Sequence, residues 1–173
     1  AAIVVNNSIY CVTGGQSSPT TPLHAFSSTA LYGHIEPSFP ICELALAAGA
    51  PFVARGTVYH VTELDKLIER AMSKNGFSMV EVVSYCHTTY GRINKSGTAV
   101  DMMRSLKENS ISKVQAERLS LEERAGKIVR GVLHEDDTKP EYLELYDQLI
   151  ERAQAAAGIK PKLVQAGEVW HAR

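Results

Sequence analysis

Asn6-Asn7 ends a run of small and β-branched residues, Ala1-Ala2-Ile3-Val4-Val5, and Thr13-Gly14-Gly15-Gln16 begins six residues after Asn7. An amide oxygen with a nearby main-chain carbonyl suits a hard cation such as Mg2+, which takes octahedral oxygen ligands and shares them with phosphate. Two adjacent glycines let a backbone approach an anion closely, and Thr13 and Gln16 offer hydrogen bonds beside them. The plainer reading of the same dipeptides is a strand end followed by a turn. The three cysteines, Cys11, Cys42 and Cys86, are widely spaced and form no CxxC pair. Neither a disulfide framework nor a complete zinc or iron–sulfur site is therefore encoded by them alone. Cys86, after an apolar strand, reads by itself as a small buried hydrophobe. Cys42 belongs to the core, and Cys11 either borders the site or packs beneath it. His24, His34, His60 and His87 fall in loops without an HxxH or HExxH pair, which reads as structural or solvent-facing. Arg55 and Arg92 suit a substrate carboxylate or phosphate groups, or else interface salt bridges.

Positioning these residues falls to the elements around them. Ala1 to Val5 reads as the end of a fully buried strand, which needs no polar alternation, so Asn6-Asn7 stands at a strand's carboxyl end. From Thr13 to Pro40 the text is rich in Gly, Pro, Ser and Thr. A loop of that length inside a compact domain reads as functional, with Phe26, Leu31, Tyr32, Ile35 and Phe39 as its anchors. Ile41 to Ala48 has one apolar helical face, stopped by Gly49 and Pro51. Phe52-Val53-Ala54 is a short strand. Thr62 can cap a helix through Lys74, with Leu64, Leu67, Ile68, Ala71 and Met72 inward and Gly76 closing it. Ser78 to Ser84 is a second strand. Strand, helix and strand with short links make a crossover unit, so the sheet is at least partly parallel, covered on both faces, and the class is α/β. After Gly97 the pattern is helical over 99–108, 121–129 and 141–157, with Leu145, Leu149, Ile150 and Ala153 inward in the last. His134-Glu135-Asp136-Asp137 reads as a solvated acidic turn. The tail 158–173 is either an ordered extension packed on a partner or a floppy end.

Composition bounds the partners. The 173 residues are 45% hydrophobic and 21% charged, and 18 Lys+Arg against 19 Asp+Glu leave a formal charge of −1. No basic field exists to hold nucleic acid or an anionic membrane. No apolar run approaches the roughly 20 residues of a membrane span, and the first residues lack the features of a secretion signal, so the expected location is cytoplasmic.

A longer string narrows these readings. Asn6-Asn7-Ser8-Ile9-Tyr10-Cys11-Val12-Thr13-Gly14-Gly15-Gln16-Ser17-Ser18-Pro19-Thr20-Thr21-Pro22 closely resembles the thiamin diphosphate loop in β subunits of 2-oxoacid:ferredoxin oxidoreductases. Tyr32-Gly33-His34-Ile35-Glu36, Ile41-Cys42-Glu43-Leu44-Ala45, Val53-Ala54-Arg55, Thr57-Val58-Tyr59-His60 and Tyr90-Gly91-Arg92 follow in the same order. The resemblance is nearest to the 2-oxoglutarate branch. It implies the C-terminal half of a thiamin diphosphate-binding domain over 1–110, an incomplete fold, with a helical C-terminal extension over 111–173. It further implies that Asn7 gives Mg2+ a side-chain oxygen and Ile9 a main-chain carbonyl, with Val12 near the thiazolium. Thr13, Gly14 and Gly15 would border the diphosphate. Cys86 would be the fourth thiolate of a 4Fe–4S cluster. The implied reaction is coenzyme A-dependent oxidative decarboxylation of a 2-oxoacid such as 2-oxoglutarate, with electrons passing through the cluster to ferredoxin, in a heteromeric complex with an α subunit.

The chain departs from that family's pattern in several places. Cys11 stands where members often have Gly, and Val12 where they often have Met. The chain contains no Gly-Asp-Gly, whose aspartate is a charged metal ligand in the family, and no CxxC. Neutral oxygens alone hold Mg2+ poorly. The expectation is therefore a chain that acts only in a larger assembly. It is either the C-terminal half of a β subunit or a naturally split subunit whose missing N-terminal half comes from another chain. Two alternatives remain: a non-oxidative thiamin-dependent decarboxylase or lyase subunit, and a non-catalytic degenerate subunit.

Overall fold

The computed structural model describes residues 1–158. The chain divides into a first unit, Ala1–Asp137, and a second that begins at Thr138. In the first unit, β1 (Ala2–Asn6), α1 (Ile41–Ala47), β2 (Phe52–Thr57), α2 (Val61–Ser73) and β3 (Ser78–Val83) come in that order. A single π-helical turn (His87–Gly91), α3 (Ala99–Glu108), β4 (Ser110–Ser112), α4 (Lys113–Ala116) and β5 (Ile128–Glu135) follow. The five strands form one sheet in the order β1-β3-β2-β5-β4. β1 and β2 both run parallel to β3, whereas β5 runs antiparallel to β2.

The sheet is mixed α/β with an apolar layer on each face. Phe52 and Ala54 of β2 and Val80 and Val82 of β3 pack with Leu67 and Ala71 of α2. The alternate residues Val53 and Met79 pack with Cys42 of α1 and Ala50. Each large side chain so buried contributes about 1.5–3 kcal/mol. β2 and β3 are buried nearly throughout, as strands inside a sheet covered on both faces are.

Five expectations are corrected. β1 is half exposed, not fully buried: Ile3 is 42% and Val5 65% exposed, because β1 lies at the end of the strand order. α2 starts from His60, not Thr62, and no side chain caps it, and Met72 points outward. Residues 121–126 are turn, and 128–135 form β5 where a helix is expected over 121–129. His134 and Glu135 therefore sit in a strand, with Glu135 paired to Arg70 and Lys74, rather than in a solvated turn. Residues 110–135, most of which fall in the expected helical extension, thus supply β4 and β5 to the sheet. Ile128-Val129-Arg130-Gly131-Val132-Leu133 fits helical and strand patterns alike, and pairing with β2 decides it.

In the second unit, α5 (Tyr142–Ala156) starts at Glu141, whose side chain accepts from the Leu143 amide. Leu145, Leu149 and Ile150 are exposed rather than turned into a core among the described residues. The expected tail lies outside the described residues from position 159 on. No helix among the described residues is long and apolar enough to cross a membrane.

Candidate functional site

Asn6 of β1 pairs in parallel register with Val83 of β3, so the carboxyl ends of the two strands finish together. The Ser84 amide donates to the Asn6 carbonyl at 2.8 Å. Ligands of parallel sheets bind at this edge, where loops leave the strands. The chain then turns sharply at Ser8, φ 62°. Two consecutive asparagine side chains build the turn: Ser8 N donates to Asn6 Oδ1 (3.1 Å) and Ile9 N to Asn7 Oδ1 (3.3 Å). Short amide side chains favour such self-hydrogen-bonded turns. Ile9, 3% exposed, pegs the turn into the protein. The Asn7 amide nitrogen also donates to Cys11 Sγ at 3.5 Å, which ties Cys11 to the turn.

The glycine loop closes on itself. Tyr10 N donates to Gln16 O (3.0 Å) and Gly15 N to Tyr10 O (2.8 Å). Thr13 Oγ1 donates to Gln16 Oε1 (2.7 Å), and Gln16 Nε2 returns to Thr13 O (2.8 Å). The Gly15 amide is thus spent inside the turn. Gly15 adopts φ 83°, and a Cβ placed on it would come within 2.6 Å of Thr89 Cγ2. Glycine is required twice here, for the dihedral and for the close approach of Thr89. Val12 sits at the exposed tip.

The long loop after Gln16 is held differently from the expectation. Phe26, Leu31, Tyr32, Ile35 and Phe39 are all exposed, and Thr21, Ser27, Ala25 and His34 are the buried pegs. Small hydroxyl side chains can anchor an irregular segment because they satisfy its backbone. Thr21 Oγ1 donates to Ser8 O at 2.7 Å and accepts from Ser18 N at 2.9 Å. Asn94 clamps Phe26 by both backbone groups, accepting from its amide (2.7 Å) and donating to its carbonyl (3.0 Å). His34 is buried, and its Nε2 has no partner among the described residues.

Cys86 follows β3 and begins the π-helical turn. Its sulfur accepts from Thr89 N at 3.4 Å and lies 3.5 Å from the Thr88 hydroxyl. Burial opposes ionisation of this thiol, but the Thr88 hydroxyl and the amides of Tyr90 and Thr89 outweigh it and bring its pKa down to about 7. Donors aimed at sulfur favour the thiolate, the form that binds metals. Thr89 therefore touches both the Cys86 sulfur and the Gly15 loop. Cys42 differs: burial pushes its thiol up, and it donates to Glu81 Oε2 at 3.2 Å. The core role expected for Cys42 is observed.

A buried polar network lies under the turn, and none of the motifs read from the sequence contains it. Glu81 of β3 is 4% exposed in the middle of its strand. Its carboxylate accepts from Asn6 Nδ2 (2.8 Å), Arg55 Nε (2.6 Å) and Cys42 Sγ (3.2 Å). Glu43 of α1 adds a longer contact to Arg55, 3.5 Å. Arg55 is therefore committed to Glu81 rather than to a substrate anion, and Arg92 is exposed. Burial alone would raise the Glu81 carboxyl, yet the Arg55 cation and the hydrogen bonds from Asn6, Arg55 and Cys42 hold it below the usual carboxylate range. The available signal was a lone acid inside an apolar strand, opposite a lone arginine in the next.

A pH dependence follows. The folded Glu81 pKa lies below the unfolded value of about 4.3. The stabilisation is thus complete above that value and is lost as pH falls through the folded pKa. Glu81→Gln leaves the half-buried Arg55 guanidinium with only its longer contact to Glu43, so the expected loss is up to roughly 3–5 kcal/mol near neutral pH. Thermal unfolding of the two proteins from pH 7 to pH 3 should show their stabilities converging toward acid. A constant gap would exclude this role.

Asn7 borders two cavities. One of about 390 Å³ is lined by Asn7, Ser8, Tyr85, Tyr90, Ser105 and Asn109 among others. The other, about 280 Å³, is lined by Asn6, Asn7, Ile9, Thr20, Phe39 and neighbours. A larger cavity of about 670 Å³, with Tyr59, Tyr85, Arg104 and Lys107 in its walls, includes neither asparagine and no cysteine. The His60 ring meets Thr57 Oγ1 at 2.8 Å, and burial with the Arg130 and Lys107 cations holds its pKa low. His24 and His87 are exposed.

The donor set fits the groups expected here in part. Asn7 offers a neutral amide oxygen at the strand end, as a shared Mg2+ site needs. Among the described residues no three His, Cys, Asp or Glu side chains form a metal-holding group. The described residues therefore bring together only part of either centre.

Comparison with known proteins adds four findings. Residues 1–82 match the family model of the thiamine pyrophosphate enzyme C-terminal TPP-binding domain. The chain is 47% identical over 153 residues to 2-oxoglutarate synthase subunit KorB of Methanocaldococcus jannaschii, covering 88% of this chain and 56% of the relative. It is 36% identical over 86 residues to the 2-oxoacid:ferredoxin oxidoreductase subunit beta of Saccharolobus solfataricus, covering 50% of this chain and 28% of that protein. The chain thus spans about half the length of the first of these relatives, or less of the others. Its fold is that of a chain in the solved 2-oxoglutarate:ferredoxin oxidoreductase from Magnetococcus marinus with 2-oxoglutarate, coenzyme A and succinyl-CoA bound. The TM-score is 0.69 at 22% identity, covering 94% of this chain and 54% of that one.

Proposed function

We propose that this chain, which is similar to 2-oxoglutarate synthase and 2-oxoacid:ferredoxin oxidoreductase β subunits over about half their length or less, supplies part of the thiamin diphosphate site of such an enzyme. The oxoacid is 2-oxoglutarate, coenzyme A takes the acyl group, and ferredoxin takes the electrons. The enzyme works as a cytoplasmic assembly with an α subunit and a chain or segment that supplies the N-terminal half of the β subunit. The residues proposed to bind the cofactor all fall within 1–110, inside the first unit.

The observation that carries this reading is a juxtaposition: Gly15 packs on Thr89, and the Thr89 amide donates to the Cys86 sulfur. A cofactor loop and a thiolate that share one residue suit a reaction in which electrons leave the cofactor. When bound, thiamin diphosphate supplies the ring that accepts the carbanion left as carbon dioxide departs. In this reading Asn7 offers its amide oxygen and Ile9 its main-chain carbonyl to Mg2+. Val12, Thr13, Gly14 and Gly15 border the cofactor, with Val12 near the reacting ring. Cys86 is one thiolate of a 4Fe–4S cluster, held as thiolate by the hydroxyl and amides aimed at it.

Asn7→Ala tests the metal assignment in the native assembly. Even outer partners of metal ligands change metal affinity by about 10–100-fold, so loss of a ligand should weaken Mg2+-dependent retention of thiamin diphosphate by at least that. Equilibrium dialysis with and without Mg2+ measures it. Retention equal to the unmodified assembly would remove Asn7 from the metal site.

A further inference from the structure

Glu81 lies in the middle of a strand that is buried on both sides, where a carboxylate is costly unless it is fully partnered. An aliphatic residue would fill the same place in the core. What the carboxylate does and an aliphatic residue cannot is fix an amide. Asn6 Nδ2 donates to Glu81 Oε1 at 2.8 Å, so the Asn6 oxygen must face the opposite way. There it accepts from Thr20 Oγ1 at 2.8 Å and from Ser8 N at 3.1 Å. Were the amide turned over, its oxygen would meet the carboxylate and its nitrogen would meet two donors.

On the reading proposed above, we infer that the relay Arg55–Glu81–Asn6–Thr20 positions the cofactor turn, with Glu81 as the positioning residue for Asn7 and Ile9. Arg55 and Cys42 fix the carboxylate from β2 and α1, and the carboxylate fixes the orientation of the Asn6 amide. The Asn6 oxygen then fixes the Ser8 amide, at the positive-φ residue where the chain reverses. Thr20 joins the same oxygen to the first part of the long loop, and its neighbour Thr21 bonds the Ser8 carbonyl at 2.7 Å. Asn7 and Ile9, directly before and after Ser8, inherit their placement from this chain of bonds. The role is indirect, since Glu81 itself offers no atom to the cofactor.

The relay can be cut at either end. Glu81→Gln cuts it in the core and also destabilises the fold. Thr20→Val cuts it in the loop, with a partly exposed residue of similar shape, and Thr20→Ser keeps the hydroxyl. In the native assembly, Thr20→Val should raise the dissociation constant for thiamin diphosphate with Mg2+ by roughly 10-fold or more, in the range of outer-shell losses. Its melting temperature without cofactor should stay unchanged, and Thr20→Ser should bind like the unmodified protein. Equal affinity in Thr20→Val and the unmodified protein would overturn the inference. So would a loss of affinity matched by a loss of cofactor-free stability. If the unmodified assembly binds no thiamin diphosphate, the proposed function itself falls, and the inference with it.

Discussion

Replacing Cys86 by Ser is expected to strip an iron–sulfur cluster from the native assembly while leaving the fold of this chain in place. The serine oxygen is too basic to ionise at neutral pH and is a poor ligand for iron. The donors that favour a thiolate at this position, the Thr88 hydroxyl and the Thr89 and Tyr90 amides, would then face a neutral hydroxyl. Oxoacid-dependent reduction of ferredoxin should fall by more than about 100-fold, because losing a ligand exceeds the 10–100-fold cost of losing its outer partners. Iron and acid-labile sulfide per assembly give the direct readout, and the electron paramagnetic resonance signal of the reduced protein should disappear with them. Cys42→Ser is the control. That thiol stays protonated and donates to Glu81, a role a serine hydroxyl can fill, so the iron content should not change. Full iron in Cys86→Ser would remove Cys86 from the cluster.

Gly15→Ala should have the second largest effect, and its cause lies in geometry rather than charge. A non-glycine residue at φ 83° carries about 1–2 kcal/mol of strain. The added methyl would stand 2.6 Å from Thr89 Cγ2, and forcing an extra carbon into a packed site costs roughly 1–3 kcal/mol more. One of the two segments has to move. Since Thr89 N donates to the Cys86 sulfur, movement there should perturb the thiolate proposed to hold the cluster as well as cofactor binding. The expected result is lower affinity for thiamin diphosphate together with a displaced cluster reduction potential. Adding Thr89→Ser removes the offending methyl but not the dihedral strain, so the double variant should recover the packing part alone, and the two changes should be non-additive. Strict additivity would mean that the two residues do not meet.

Much of the fold could be read from the sequence, for physical reasons visible in particular residues. The text from Ile41 to Val83 alternates short apolar runs with amphipathic ones, and α1, β2, α2 and β3 lie where those periodicities put them. Ala99–Glu108 was equally readable, with Thr98 and Asp101 forming the reciprocal cap that such a helix start needs. β5 was not readable. Its identity depends on pairing with β2 76 to 83 positions earlier, a contact that local pattern does not carry. The exposed side of β1 was hidden for a related reason, since Ile3 and Val5 look the same in an edge strand as in a central one.

The candidate site was readable at its surface and hidden beneath. Asn6-Asn7, the paired glycines and Cys86 stand out by residue type, and the structure brings the glycine loop and the Cys86 turn together through Thr89. Glu81 did not stand out because a single acid in a strand looks like a solvent-facing position. Only the register of β2, β3 and β1 sets Arg55, Glu81 and Asn6 on one face. The long loop misled in the opposite way. Large apolar residues are the usual anchors, but here Thr21 and Ser27 are the buried ones, because a loop without regular structure needs hydroxyls to satisfy its backbone.

The direct measurement of the proposed reaction is reduction of ferredoxin, or of a viologen dye in its place, by the native assembly supplied with 2-oxoglutarate, with and without coenzyme A. The expected result is reduction that requires both the oxoacid and coenzyme A. An assembly that retains thiamin diphosphate and iron yet reduces neither acceptor with any 2-oxoacid would contradict it.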